Sequence, residues 1–398
     1  MFSNIIRTGL GLTIGLFTTG AGAGEWSGYS ALSYTGYTHA PLYADQQRGN
    51  FSVALQPEYR HRRENSKDEF TFIPFARLDQ QDSERSHADI RQLAWVKVGE
   101  TYEWRVGIRK VFWGVAESQH LVDIVNQTDL VENIDGETKL GQPMVNFAAI
   151  RPWGTFDVFI LPYFRERTFP GREGRLRTEL VVDTDQATYE SSRGREHVDY
   201  ALRWSKSFSG VDIGVSRFSG TSRDPRLLLG SNGTGLPVLI PRYDLIRQTG
   251  VDVALTAGSW LWKLEAIHRS GPGAGYTAST TGFEYTFSNA FNSTIDLGVL
   301  AEYLYDERGD TATTPFQDDI FAGLRLAFND AQSSELLLGA IQDRRNHARF
   351  FNIEASRRLG NLWKLSLQAR AFARIPANDL LFGMRQDDYL QVELARYF

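Results

Sequence analysis

Asp388-Tyr389-Leu390-Gln391-Val392-Glu393-Leu394-Ala395-Arg396-Tyr397-Phe398 is the stretch whose reading decides the fold. Leu390, Val392, Leu394 and Phe398 fall on one side of an extended chain, and Tyr389, Gln391, Glu393 and Tyr397 on the other. Side chains of a strand alternate in direction, so this is one strand with an apolar and a polar face. About ten residues is also the length a tilted strand needs to cross a hydrocarbon core. A strand of this kind closing on an aromatic carboxy-terminus is expected of an outer-membrane β-barrel, with the assembly machinery of such barrels as its partner. Arg396 interrupts the apolar row near its tip, where a long cationic side chain reaches headgroups. In a soluble sheet the same pattern would be an ordinary edge strand, and the rest of the chain must decide.

Working outward, the same alternation recurs. It is clearest over 51–59, 198–204, 295–305, 320–328 and 363–373, where period-two patterning marks half-buried strands. Weaker strands are expected at 26–37, 69–79, 88–98, 101–112, 145–151, 155–166, 210–219, 247–257, 260–269, 280–288, 334–343 and 350–357. Tight joins such as Gly99-Glu100, Trp153-Gly154, Ser209-Gly210 and Gly258-Ser259 alternate with polar loops at 113–144, 167–197, 220–246, 270–279, 306–317 and 375–387. Short turns on one side and long loops on the other are the pattern of outer-membrane barrels. The expectation is one domain, 24–398, an all-β antiparallel up-and-down barrel of about 18 strands. Sixteen would result if 145–151 lay inside the lumen. Trp204, Tyr303, Tyr305 and Trp363 would sit near strand ends as an interfacial girdle.

Composition agrees. Mean hydropathy is −0.33 although 13% of residues are aromatic and 36 are glycine, as expected when one face of each strand meets lipid and the other water. Residues 1–23 read as a cleaved export signal, with Arg7, an apolar run Gly9–Phe17 and small residues Ala21-Gly22-Ala23. No later apolar run approaches the length of a transmembrane helix. There is no cysteine, hence no disulfide framework, thiolate metal site or lipoprotein anchor. A net charge of −5 and a pI near 5.9 argue against nonspecific nucleic-acid binding.

If the apolar faces meet lipid, strand parity places Arg60, Arg105, Arg109, Arg203, Lys263, Arg269, Arg325, Lys364, Arg370 and Arg374 in the lumen. Glu58, Glu103, Asp199, Asp252, Glu265, Asp296, Glu302, Glu354 and Glu393 join them. A barrel of 16 to 18 strands is too wide for side chains alone to fill. Its inward charges either shape the field a solute meets or pair across neighbouring strands. The segment 111–143 carries Glu117, His120, Asp123, Asn126, Asp129, Glu132, Asp135 and Glu137, with an apolar stripe of Leu121, Ile124, Val125 and Leu130. A loop with its own apolar stripe is expected to fold into the lumen, so that its acids oppose basic wall residues. Folding over the mouth as a lid would look the same in sequence. The candidate pore-lining or constriction residues are therefore Arg105, Arg109, Glu117, Asp123, Asn126, Asp129, Glu132, Asp135, Arg203, Arg325, Lys364, Arg370 and Arg374.

One local motif resembles a known group. Arg109-Lys110-Val111-Phe112-Trp113-Gly114, followed by Asp123-Ile124-Val125-Asn126 and Asp129, is similar to a motif of porin-like proteobacterial outer-membrane proteins. There a Trp-Gly at a strand end precedes Asp-x-x-Asn-x-x-Asp. Gln127 stands where that pattern has proline. The resemblance covers about 20 residues and implies a barrel and a transport role; a homotrimer is the assembly expected of such barrels.

Enzyme signatures are lacking. The seven histidines are scattered without metal-ligand spacing, and no nucleophile elbow or phosphate loop is present. Gly230–Gly235 reads as a flexible loop tip. His268 with Ser270 is the one pairing that could be nominated for hydrolysis, and it would need an acid or amide beside the histidine. The expected function is passive passage of small polar or charged solutes through an outer-membrane channel, without cofactor or metal. A loop-plugged transporter of hydrophobic compounds and a surface-structural or adhesive barrel are the alternatives.

Overall fold

The computed structural model describes residues 24–63 and 67–398; the expected export signal, 1–23, lies outside them. In chain order the strands are β1 (Glu25–Tyr37), β2 (Gly49–Arg62), β3 (Asp68–Asp79), β4 (His87–Val98), β5 (Tyr102–Arg109), β6 (Gln142–Arg151) and β7 (Gly154–Leu161). There follow β8 (Thr188–Tyr189), β9 (Asp199–Phe208), β10 (Val211–Thr221), β11 (Arg226–Ser231), β12 (Pro237–Tyr243), β13 (Leu245–Ala257) and β14 (Trp260–Ser270). The last are β15 (Tyr276–Ala290), β16 (Ile295–Asp306), β17 (Asp318–Ala327), β18 (Glu335–Asp343), β19 (Arg349–Leu359), β20 (Trp363–Ala373) and β21 (Tyr389–Tyr397).

Eighteen of these form one antiparallel sheet, each paired with its neighbour in sequence, and β21 pairs with β1 to close it. Closure removes the open edges that would otherwise expose unpaired backbone groups. At the seam Phe398 exchanges two backbone hydrogen bonds of 3.0 Å with Gly28. Gly28 has φ +146°, and a Cβ there would fall 2.4 Å from the Gln56 carbonyl, so the terminal residue needs glycine opposite it. The segment 145–151 is in the wall, as the greater part of β6.

Sidedness follows the alternation. Leu32, Tyr34, Phe51 and Val53 are exposed, whereas Ser33, Ser52 and Ala54 between them are buried on the inner face. On β21, Leu390 and Leu394 face out, while Gln391 and Glu393 border the lumen. Arg396 also faces out, its guanidinium 6.0 Å from the centre of the Trp363 ring.

Three expectations need correction. β5 ends at Arg109 rather than 112, because Asn126 takes the carbonyl of Arg109 and the amide of Val111 and draws the chain off the wall. β7 stops at Leu161, before Pro162, which cannot donate to a ladder. The loops 167–197 and 220–246 carry a second, three-stranded sheet, β8, β12 and β11. In it Gly230–Gly235 is the end of β11 and the turn of a hairpin, braced by the Asn232 side chain through the amides of Thr234 and Leu236.

Candidate functional site

The segment between β5 and β6 turns away from the wall and touches strands on opposite sides of the barrel. Its start is set by the two halves of the motif acting on each other. The Asp123 carboxylate accepts the amides of Trp113 (2.6 Å) and Gly114 (3.0 Å). The Asn126 amide donates to the carbonyls of Arg109 and Leu140, each 2.8 Å, and so ties both ends of the loop together. Trp-Gly and Asp-x-x-Asn are thus a frame. Gln127 fits it by accepting from Thr128 N and Arg167 Nε.

Four loop acids then meet four basic wall residues. Asp129 accepts from Arg91 of β4 at 2.5 Å, and Glu132 takes a forked contact from Arg77 of β3, both arms 2.9 Å. Asp135 accepts from Arg370 of β20 at 2.7 Å, and Glu117 from Arg325 of β17 at 2.5 Å. Bidentate and charge-assisted contacts of this kind are the strong ones. Two wall acids reverse the roles. Glu265 of β14 accepts the backbone amides of Val115, Ala116 and Val122 at 2.7, 2.9 and 3.2 Å. Glu302 of β16 accepts those of Glu117 (2.7 Å) and Ser118 (2.8 Å), with the Ser118 hydroxyl at 2.5 Å.

Burial of the apolar stripe adds to this. Trp113, Val122, Ile124 and Val125 form a core with Met144, Phe159, Leu161, Phe218, Ile246 and Ile267 on the inner faces of β6, β7, β10, β13 and β14. Burying each such side chain contributes on the order of 1.5–3 kcal/mol. His120 is wedged between two acids, hydrogen-bonded through Nε2 to Glu137 and with Nδ1 3.6 Å from Glu265. Burial opposes its charge, but the two carboxylates outweigh burial and hold the imidazolium up to about 10. Glu137 is exposed to the cavity; partial desolvation opposes its charge, but its bond to His120 keeps its carboxyl below the usual range.

The other half of the interior is open. A cavity of about 1080 Å³ lies between the loop and the wall, bordered by Glu117, Asp135 and Glu137 on one side and Arg325, Lys364 and Arg370 on the other. Phe321 and Ile341, with Phe316 and Phe350 against them, also border it, backed by the buried Leu300 and Leu304. Above it the segment 162–187 crosses to the far side. Asp82 accepts the Gly171 amide, and Arg175 is bonded to Asp387 at 2.7 Å, both side chains nearly without solvent contact.

Of the sequence candidates, Glu117, Asp123, Asn126, Glu132, Asp135, Arg325, Lys364 and Arg370 come together around the cavity. Asp123, Asn126, Asp129 and Glu132 hold the loop's shape and anchor it. Arg105 is engaged by Glu103, Asn146 and Asp157, and Arg203 by Asp252 in a forked pair of 2.6 and 2.8 Å. Neither borders the cavity, nor does Arg109, and Arg374 stands exposed beyond the end of β20 at φ +58°. Arg77 and Arg91 were missed, although parity with Leu78 and Ile90 would have turned them inward. Glu265 and Glu302 were legible as inward residues, but not as acceptors for a loop 143 to 185 residues away. His268 faces outward, and its ring nitrogen meets the Thr277 hydroxyl at 3.3 Å.

No protein-family model matches this chain, and no curated protein matches it in sequence. Solved structures match it in fold. A BenF-like porin from Pseudomonas fluorescens Pf-5 aligns with a TM-score of 0.54 at 8% identity, over 94% of this chain and 97% of that one. Wzi of Escherichia coli, an outer-membrane protein involved in group 1 capsule assembly and a carbohydrate-binding β-barrel, aligns with 0.51 at 9% identity, over 93% and 84%. At these identities the likeness establishes the closed antiparallel barrel and nothing finer.

Proposed function

We propose that the chain is a porin-like passive channel of the bacterial outer membrane, carrying small polar or charged solutes down their gradients. The observation that supports it is the cavity left beside the pinned loop, with acids on the loop side and Arg325, Lys364 and Arg370 on the wall side. Charges held in a narrow, partly dehydrated passage act on solutes far more strongly than they would in open water. The reading includes an export signal in 1–23, delivery to the barrel assembly machinery through β21, and a trimer in the membrane.

The test is conductance of the refolded protein in a planar bilayer under a salt gradient. Stable steps with a defined reversal potential are expected; a folded barrel that inserts yet stays silent would overturn the reading. One observation favours a second function. The apolar patch around Phe321 and Phe350 would suit a transporter of hydrophobic compounds whose lumen the loop plugs. Silence to ions together with saturable uptake of an apolar solute would establish that alternative. Silence to both would leave a surface-structural or adhesive barrel.

A further inference from the structure

The outward face of β10, β13 and β14 breaks the lipid-facing rule at one height. Arg217 lies opposite Thr249, and Thr249 opposite His268. Two residues higher, Arg247 lies between Ser219 and Ser270. All six point out, since Phe218, Gln248, Ile267 and Arg269 between them are buried inward. Arg217 and Arg247 are diagonal neighbours, about 7–8 Å apart at their backbones. Arg217 donates to the Thr249 hydroxyl at 2.5 Å and His268 meets that of Thr277. Among the described residues no carboxylate pairs with any of the three, and Glu307, just past β16, is engaged by the Thr277 amide.

Height identifies what this cluster meets. Trp260, Trp262, Phe283, Tyr285 and Phe287 form an outward aromatic cluster at the short-turn end, where an interfacial girdle belongs. Arg247 is level with Ser270, ten residues above Trp260 on β14. At about 3.3 Å per residue and a tilt near 40°, that is roughly 25 Å, the full height of a barrel's apolar band. Elsewhere on the rim the outward residues include the exposed Tyr34, Phe51, Leu78, Ile160, Tyr200 and Leu390, and the outward cations at β18 and β19 are engaged, Arg344 by Asp318 and Arg349 by Gln342.

We infer that Arg217, Arg247 and His268, with the hydroxyls of Ser219, Thr249 and Ser270, bind a phosphate group of an anionic glycolipid in the outer leaflet. Two adjacent arginines without an acid repel each other, and a phosphate removes that repulsion while using the hydroxyls as further donors. The inference rests on the outer-membrane reading, and the test separates the two. Native mass spectrometry in mild detergent would compare a bis-phosphorylated glucosamine glycolipid with its dephosphorylated form. The wild type should prefer the phosphorylated lipid. Arg217→Gln with Arg247→Gln should lose roughly 25-fold of that preference, about fivefold per arginine. Arg396→Gln, outward at the opposite rim, should lose none. A retained preference in the double variant, or none in the wild type, would overturn the assignment. So would a change in oligomeric mass of the double variant without lipid, which would put a second copy on this face. A barrel that inserts into neither phosphorylated nor phosphate-free bilayers would refute the membrane reading itself.

Discussion

Replacing Glu265 by alanine tests the idea that wall acids, rather than the loop's own sequence, hold the constriction in place. Glu265 is completely buried and its two oxygens accept three backbone amides, from Val115, Ala116 and Val122. Hydrogen bonds to a charged acceptor contribute about 1.5–3 kcal/mol each. The two short ones set the scale, and water entering the lumen recovers part of the loss, leaving on the order of 3 kcal/mol. That multiplies the population with the loop undocked by roughly a hundredfold. Heat-modifiable gel mobility would establish that Glu265→Ala still forms the barrel. Hydrogen exchange at the amides of 113–122 should then accelerate by a similar factor, and single-channel records should show larger, noisier steps. Wild-type exchange at Val115, Ala116 and Val122 with wild-type conductance would refute the reasoning.

Three further outcomes are expected. His120 is held protonated to about 10 in the folded loop, above its ordinary value near 6.5, so its contribution is complete below pH 6.5 and lost as pH rises through 10. Exchange at 113–122 should quicken across that window in the wild type and lose the dependence in His120→Gln. Asp387→Asn, which removes the charge facing buried Arg175, should weaken the strap 162–187 by about 3–5 kcal/mol and open it to limited proteolysis, whereas Arg175→Met with Asp387→Leu should restore most of its resistance. Neutralising Arg325 and Lys364 together should move the reversal potential toward cation preference, since Glu117 and Asp135 then face the cavity with less opposition; an unchanged potential would place the solute path elsewhere.

The barrel was largely legible because its signal is periodic and local: the final strand, 363–373 and 198–204 alternate cleanly, and register follows from alternation. Two of the less clearly alternating strands, 145–151 and 155–166, belong to β6 and β7, whose inner faces carry Met144, Ala148, Phe159 and Leu161 where a water-facing wall would carry polar residues. Their irregularity was itself information, since an apolar inner face needs a cover, and the stripe of Ile124 and Val125 is that cover. The loop's partners were not legible. Asp129, Glu132 and Asp135 are spaced three apart, yet their arginines lie on β4, β3 and β20, and only the closed circle of strands brings residue 370 to residue 135.

The distribution of apolar residues inside the barrel bears on which solutes it suits. Around β6 to β14 the inner apolar face is largely covered by the loop, with Ile267 at its margin on the cavity. Around β16 to β19 lies a second apolar cluster: Glu117 and Ser118 dock on Glu302 between its buried Leu300 and Leu304, while Phe316, Phe321, Ile341 and Phe350 border the cavity. Gly323 and Gly339 lie beneath the Phe321 ring, where a Cβ would come within 2.8 and 2.7 Å of it. The absence of side chains at those two positions lets the ring lie flat on the wall instead of projecting into the cavity, and so preserves the cavity's width. Phe321 and Arg325 share one face of β17, and the Arg370 guanidinium lies 5.8 Å from the centre of the Phe350 ring. One wall thus carries charge and apolar surface side by side and, in the proposed channel, would suit a solute with one charged end and one apolar side better than a bare ion. Ions would meet the fixed charges alone, while an amphipathic solute would also exchange ordered water at Phe321 and Phe350 for contact, gaining about 25 cal/mol per Å² of apolar surface covered. The polar-channel and hydrophobic-transporter readings therefore describe two features of one wall, and the ratio of conductance to amphipathic uptake would measure which of them governs passage.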